Sequence, residues 1–247
     1  MYCQICIARE EDIPMIMARK LSKNPVSDEV VSMAKEWFNG CIDTHQEEGT
    51  CPQLQVAPLP TRIIHISSEN GRIRTRLHTS KADKCGVWVA LSHCWGTPQN
   101  EERTHSSSKR PPDFSATVAN AEELGSTIPA DKLPRTIYDA VVFTQLLGYS
   151  YLCVDRLWIL QDDAEDWKRE AVKMQEYYNG SVLTIAADSS ELDYSGFLAR
   201  REPLEHFSDI TVPLTPRRDS PYHGKLAFID KRQYPLKRSY SYIKKRA

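Results

Sequence analysis

No run of the 247-residue sequence approaches the length of a membrane-spanning helix. The amino terminus, MYCQICIAREEDIP, lacks the apolar core of a secretory signal and carries acidic residues in its place. Residence in the cytosol or nucleus is therefore expected, and the chain is taken as cytoplasmic. Internal repeats are missing, and with them any solenoid or propeller architecture. Nor is there an excess of one charge, since 32 basic and 33 acidic residues leave −1 overall. That balance is not uniform. From Arg217 to the end ten Lys/Arg meet two Asp, a segment of +8 that leaves −9 on the rest. A basic tail can attract nucleic acid or anionic lipid. This one has no aromatic pattern suited to stacking bases, so it is read as a solvated end and nucleic acid is not expected as a partner. The seven cysteines are odd in number, which fits thiols or metal ligands in a reducing compartment. What is present is an ordinary globular composition, 40% hydrophobic and 26% charged, in a chain long enough for one α/β domain with an appendage.

The most regular stretch is Leu133 to Ala187. Ile137, Ala140, Val141, Phe143 or Thr144, and Leu147 recur at helical spacing, with Gly148 placed as a C-cap. Tyr151 to Val154 is an apolar run too short for a helix and predicts a buried strand. A second helix starts near Asp163, with Asp166 as an acidic partner in its first turn, and its inner face is predicted to be Trp167, Ala171, Met174 and Tyr178. Asn179-Gly180 stops it, and Val182 to Ala187 predicts another strand. Helix, strand, helix and strand with short connections predict a mostly parallel sheet flanked by helices. Ligands of such sheets sit at the carboxyl ends of the strands. Asp155, Arg156, Gln161, Asp162 and Asp163 belong there, with Glu170 a turn into the following helix. Each alone is as readily a cap, an acceptor for loop amides or a solvated side chain. Together they form a candidate pocket.

Upstream, Pro25 and Ser27 start a helix whose Val30, Met33, Ala34, Trp37, Phe38 and Cys41 share a face read as core. Cys41 and His45 lie one helical turn apart. With Cys51 and the Cys3/Cys6 pair they supply the donor types for one zinc ion, although the spacing matches no standard zinc module. Ile63, Ile64 and Ile66, the turn Glu69-Asn70-Gly71-Arg72, and Ile73 to Leu77 predict a β-hairpin with Arg72, Arg74 and Arg76 toward solvent. Val87 to Leu91 predicts a strand running into Ser92-His93-Cys94-Trp95-Gly96. This is the layout of a reactive loop. Neighbours on a strand point to opposite faces, however, and triads assemble from distant segments, so Ser92 is read as a polar donor and a Cys-His hydrolase is not expected. Thr97 to Pro112 is predicted to be a mobile loop, Leu226 to Ile229 an edge strand, and RQYPLKRSYSYIKKRA a poorly ordered end. The reading requires the strands ending at Leu91 and Val154 to lie side by side, parallel, and to open onto a shared hollow.

Several motifs follow one another in order: Leu59-Pro60-Thr61-Arg62-Ile63-Ile64, Val87 to Gly96, Leu133-Pro134-Arg135-Thr136 with Asp139-Ala140, Leu147-Gly148, and Tyr151-Leu152-Cys153-Val154-Asp155. Gln161-Asp162-Asp163, Asp166-Trp167, Glu170, Met174 and Tyr178 complete the series. Together they resemble the fungal heterokaryon-incompatibility (HET) domain over about Trp37 to Arg201. The Trp37, Cys41, His45 and Cys51 array is similar to a segment often found just before that domain. The resemblance implies a flavodoxin-like fold similar to Toll/interleukin-receptor (TIR) domains, with an N-terminal helical extension and a β-hairpin. It implies a cell-death role in non-self recognition, acting through self-association and protein partners. Some TIR domains cleave the nicotinamide–ribose bond of NAD with a helix-borne glutamate. By that analogy Glu170 is the catalytic carboxylate of an NAD glycohydrolase, and Ser92, His93, Trp95, Asp155, Arg156, Gln161 and Asp162 shape its pocket, with NAD as substrate. Two departures stand against the transfer. Arg156 and Trp158 replace a small residue and a cysteine after the Asp, and a later Arg–Trp–Gln–Glu element is missing after Arg238, as in an inactive remnant. The expected organisation is a helical Cys/His segment at 1–57, the α/β domain at 58–201, and a basic C-terminal extension at 202–247, truncated or poorly ordered.

Overall fold

The computed structural model describes residues 22–43, 56–81, 84–95, 114–188, 190 and 192–200, and the backbone of strands at 3–7, 211–214, 224–230 and 243–244. The segment expected to be a mobile loop, His45 and Cys51 lie outside the described residues, as does most of 202–247. Two compact units are present, one of Val31–Leu198 with Ser239–Ala247 and one of Met1–Val30 with Ala199–Arg238. In chain order the first elements are β1 (Cys3–Ile7), α1 (Asp28–Asp43), β2 (Ala57–Pro58), β3 (Arg62–Glu69) and β4 (Arg72–Thr79). Then come β5 (Cys85–Gly86), β6 (Val89–Ser92), α2 (Ala121–Ser126), α3 (Arg135–Leu147) and β7 (Tyr151–Val154). The series continues with α4 (Asp155–Trp158), α5 (Ala164–Ala171), α6 (Met174–Gly180) and β8 (Leu183–Ala186). It closes with β9 (Thr211–Leu214), β10 (Gly224–Asp230) and β11 (Ile243–Lys244). In the smaller unit β10 lies between β1 and β9 in an antiparallel sheet, so it is a central strand and not the edge strand expected.

The larger unit is built on a sheet of order β11-β8-β6-β7-β3-β4. Only β8-β6 and β6-β7 pair in parallel; β11-β8, β7-β3 and β3-β4 are antiparallel. The sheet is mixed and not mostly parallel. The cause is local: β3 and β4 are joined by Asn70 (φ 52°) and Gly71 (φ 74°), the two left-handed residues that a two-residue turn needs. Such a turn can only reverse the chain, whereas the helical connections before β7 and β8 return it in the same direction. Leu91 pairs with Val154 in register, so the two strand ends lie side by side as the sequence requires.

Side chains alternate across the sheet, and both faces are covered. Val89, Leu91, Leu152, Val154 and Ile64 pack with Ile137, Ala140 and Val141 of α3. On the other face Ala90, Cys153 and Ile63 pack with Trp88, Trp158 and Tyr177. Gly148, at φ 96°, ends α3 as the sequence indicated. In α1 only Val31 and Ala34 are buried; Phe38 meets Tyr149 edge-on at 6.0 Å, while Trp37, expected in the core, is exposed.

The largest departure lies in α5 and α6. One helix is expected and two are present, with a turn at Val172-Lys173. Asp163 does cap the start, accepting from the backbone N–H groups of Glu165 and Asp166. The buried face, however, is Asp166 and Glu170, followed in α6 by Tyr177. Trp167 is 55% exposed and Met174 38%, so these two point outward, whereas Tyr178 packs inward as expected, its ring against Trp158 and its hydroxyl donating to Leu91 O. Within α5 an apolar pattern misses the inner face because the residues there are carboxylates held by charged and hydroxyl partners on other segments.

Candidate functional site

The connection from β6 leads to β7 on one side, and the next strand, β8, lies on the other side of β6. The order therefore reverses at β6, where doubly wound sheets place their ligand crevice. Beyond the carboxyl end of β6 stand Ser92, His93 and Trp95. His93 Nε2 lies 2.8 Å from Asp193 Oδ1, and both side chains are fully buried. Asp193 also pairs with Arg156, whose Nε donates to Ser115 Oγ at 3.3 Å. Asp155 Oδ1 accepts from Trp95 Nε1 at 3.0 Å and from the Arg156 N–H at 2.8 Å. The Arg156 guanidinium stacks over the Trp95 ring, 4.9 Å from its centroid. Ser92, His93, Trp95, Asp155 and Arg156 are thus brought together. The segment after β8 closes over them: Thr136 N donates to Asp193 O, and Asp139 Oδ2 accepts from the N–H groups of Phe197 and Leu198, each at 2.8 Å. The side chains of His93, Asp193 and Arg156 are buried, and Ser92, Cys94 and Trp95 are exposed beside them.

Burial is the first cause of the electrostatics here. It lowers the pKa of His93, with Arg156 adding to the effect and Asp155 opposing it. It also raises Asp155, against the pull of His93 and of the hydrogen bonds from Trp95 and Arg156. An unfolded histidine titrates near 6.5. Below that pH the unfolded chain holds more protons than the folded one, so stability falls as the pH falls toward the folded value of His93. His65 and His78, also lowered, act in the same sense, and Asp155 in the opposite one. Replacing His93 with Gln is expected to flatten the fall in stability as the pH drops below about 6.5. Urea melts across that range check it, with Asp155→Asn isolating the opposing contribution. An unaltered slope in the His93 variant would contradict it.

The other expected pocket residues lie elsewhere. The Gln161 side chain donates to Ile159 O at 3.2 Å within its own loop while its backbone N–H donates to Ala116 O at 2.8 Å, and Asp162 accepts from the Val118 N–H at 2.8 Å, so both positions hold the segment before α2. Glu170 is fully buried in a separate network. Its Oε1 accepts from Thr61 Oγ1 and Lys173 Nζ, each at 3.1 Å, and its Oε2 from the Tyr177 hydroxyl at 3.0 Å. Burial pushes the Tyr177 hydroxyl up. Burial works against the Lys173 ammonium, but the hydrogen bond to Glu170 and the neighbouring Tyr177 hold its pKa above the usual value. Among the described residues no hydrogen bond or ion pair joins Glu170 to Ser92, Trp95 or Asp155. Sequence reading missed Asp193, a single loop aspartate with no periodic signal, and the Thr61–Tyr177 partners of Glu170.

For the zinc set, Cys41 sits in the last turn of α1, and its proposed partners fall outside the described side chains. Among the described residues no three His, Cys, Asp or Glu side chains gather for a metal. A groove of about 370 Å³, lined by Trp37, Phe38 and Cys41 of α1 with Leu147, Tyr149 and Val182, opens at the amino ends of β7 and β8. It is at the opposite end of the sheet from the clustered polar residues.

No described helix is long and apolar enough to cross a membrane. No curated protein and no solved structure matches the chain. Residues 88–240, more than half the sequence and including β6, β7 and β8, match the model of the heterokaryon incompatibility protein (HET) family, and the chain belongs to that family.

Proposed function

We propose that the protein is a cytoplasmic effector of heterokaryon incompatibility in a fungal cell, acting through self-association and partner contacts and not through NAD cleavage by Glu170. The inversion of α5 carries this reading. It turns Glu170 inward, with both carboxylate oxygens bonded to neighbours, and leaves Trp167, Val172 and Met174 exposed on the outside. A carboxylate that stabilises positive charge on a ribose must reach the ring, which a fully buried side chain cannot do without rearrangement. An exposed tryptophan flanked by further apolar side chains is the composition of a contact surface, with Trp its strongest anchor.

Sedimentation velocity on the full chain should show a concentration-dependent assembly. Trp167→Glu should weaken it by at least about tenfold with the fold unchanged, the scale of an interface anchor. Wild type that stays monomeric at high concentration, or a Trp167→Glu protein that assembles as before, would refute the self-association. Glu170→Gln is expected to retain the incompatibility response on expression in a fungal cell, and neither protein should release nicotinamide from NAD. Release by wild type that is lost in a folded Glu170→Gln protein would establish the NAD glycohydrolase reading instead.

A further inference from the structure

One face of the β3-β4 hairpin meets the core; on the other Ile63 is buried against Trp158 and Tyr177, while the part toward the turn and along β4 is exposed among the described residues. Ile64, Ile66, Thr75 and Leu77 point inward, and the alternate residues Arg72, Arg74, Arg76 and His78 point away. The register places Arg76 opposite His65, and His65 opposite Tyr151 of β7, so all of these share one face. The rings of His65 and His78 lie 5.2 and 6.2 Å from that of Tyr151. Lys84 joins them, with its Nζ 5.7 Å from the Tyr151 centroid and 3.2 Å from His78 Nε2. Among the described residues one carboxylate enters this face, Glu69, which pairs with Arg74 at 3.3 Å.

We propose that this exposed hairpin face, with Arg72, Arg74, Arg76, His65, His78 and Lys84, binds the phosphate backbone of single-stranded nucleic acid. The charge complement is specific in form. Arginines at alternate positions of a strand stand about 6.8 Å apart, and each guanidinium fork matches a phosphate. Burial, Arg76 and Lys84 lower the pKa of His65, and the same groups lower that of His78, so cations on this face repel one another and an anion would relieve them. Imidazole and phenol rings at its inner end offer platforms for unpaired bases. None of the described helices lies on this face to enter a duplex groove.

Other occupants fit less well. An added peptide strand would need the outer edge of β4, but Ile128 already bridges it, its N–H donating to Thr75 O at 2.7 Å while Thr75 Oγ1 donates to Ile128 O at 2.8 Å. None of the exposed large apolar side chains among the described residues lies on β3 or β4, so a protein anchor or a membrane-inserting residue is missing from the face.

The test is fluorescence anisotropy of the full chain with labelled 20-mers of deoxythymidine and uridine between 50 and 200 mM salt. Wild type should bind, with log K falling linearly in log salt. The triple variant Arg72→Gln/Arg74→Gln/Arg76→Gln should bind at least about tenfold more weakly, with a slope reduced by about 2, from about 0.7 per phosphate contact. The tail variant Lys237→Gln/Arg238→Gln/Lys245→Gln should bind as wild type does. Should the triple variant melt early, Arg76→Gln alone should reduce the slope by about 0.7. No binding by wild type at 50 mM salt, a loss confined to the tail variant, or binding only to phosphatidylserine vesicles would each overturn the proposal.

Discussion

Trp158→Ala is expected to destabilise the protein by about 3 kcal/mol, measured as a shift in the urea midpoint at constant m-value. Trp158 is fully buried, with its ring edge-on to Tyr177 at 5.6 Å and to Tyr178 at 5.9 Å, and it joins Trp88, Ala90 and Cys153 beneath the sheet. Truncating a buried tryptophan costs about 3–5 kcal/mol. The lower figure applies because the indole Nε1 finds no hydrogen-bond partner among the described residues. An orphaned buried donor costs about 1–3 kcal/mol, and removing it offsets part of the lost packing. Trp158→Phe separates the two effects, since it keeps an aromatic ring and discards the orphan N–H. It should cost less than about 1.5 kcal/mol. A Phe variant as unstable as the Ala variant would mean that the indole N–H is satisfied and that the packing account is wrong. The tryptophan thus occupies the position where the family resemblance implies a cysteine, and it serves the core.

What the sequence revealed and what it hid divide along the range of the interactions. The hairpin was legible because Asn70-Gly71 determines its turn within four residues. The end of α3 was legible because Gly148 takes a left-handed conformation that few other residues adopt at low cost. The start of α5 was legible because Asp163 bonds N–H groups two and three residues on. The parallel neighbours β6 and β7 followed from apolar runs separated by a helix. The antiparallel meeting of β3 with β7 did not, since no local pattern states which edge a hairpin joins. Within the site, Trp95 and Asp155 do meet, joined by the indole N–H, because each follows one of two neighbouring parallel strands. Glu170 joins them in the sequence only by its nearness to Asp155 and by the family analogy, and its partner Thr61 lies 109 residues away. The face of α5 was misread for the same reason. A carboxylate looks solvated until the cation that buries it is known, and that cation is Arg62, 104 residues from Asp166.

Removing that cation is expected to be the most damaging single change in the polar framework. Arg62 donates to both oxygens of Asp166 at 2.9 Å and to Trp158 O at 2.6 Å, tying β3 to α4 and α5 in one fork. Asp166 is fully buried and also accepts from the Leu160 N–H at 2.8 Å and from Arg169. Breaking a buried pair from one side costs about 3–5 kcal/mol, because the remaining charge is stranded. Arg169 stays in place but is more than half exposed, so it compensates weakly. Arg62→Met should therefore cost about 3 kcal/mol, and the double variant Arg62→Met/Asp166→Leu should be less unstable than the sum of its parts. Acid supplies an independent reading. Burial pushes the Asp166 carboxyl up, but the hydrogen bonds from Arg62 and Leu160 and the charges of Arg62 and Arg169 together hold it below the ordinary 3.8. A depressed folded pKa gives stability that is present above the unfolded value and lost as the pH falls through the folded one. The gap between wild type and Arg62→Met should accordingly be full at pH 7 and narrow below about pH 4. A gap that stays constant down to pH 3 would show that Arg62 supports the sheet by packing its stem, with the ion pair contributing nothing.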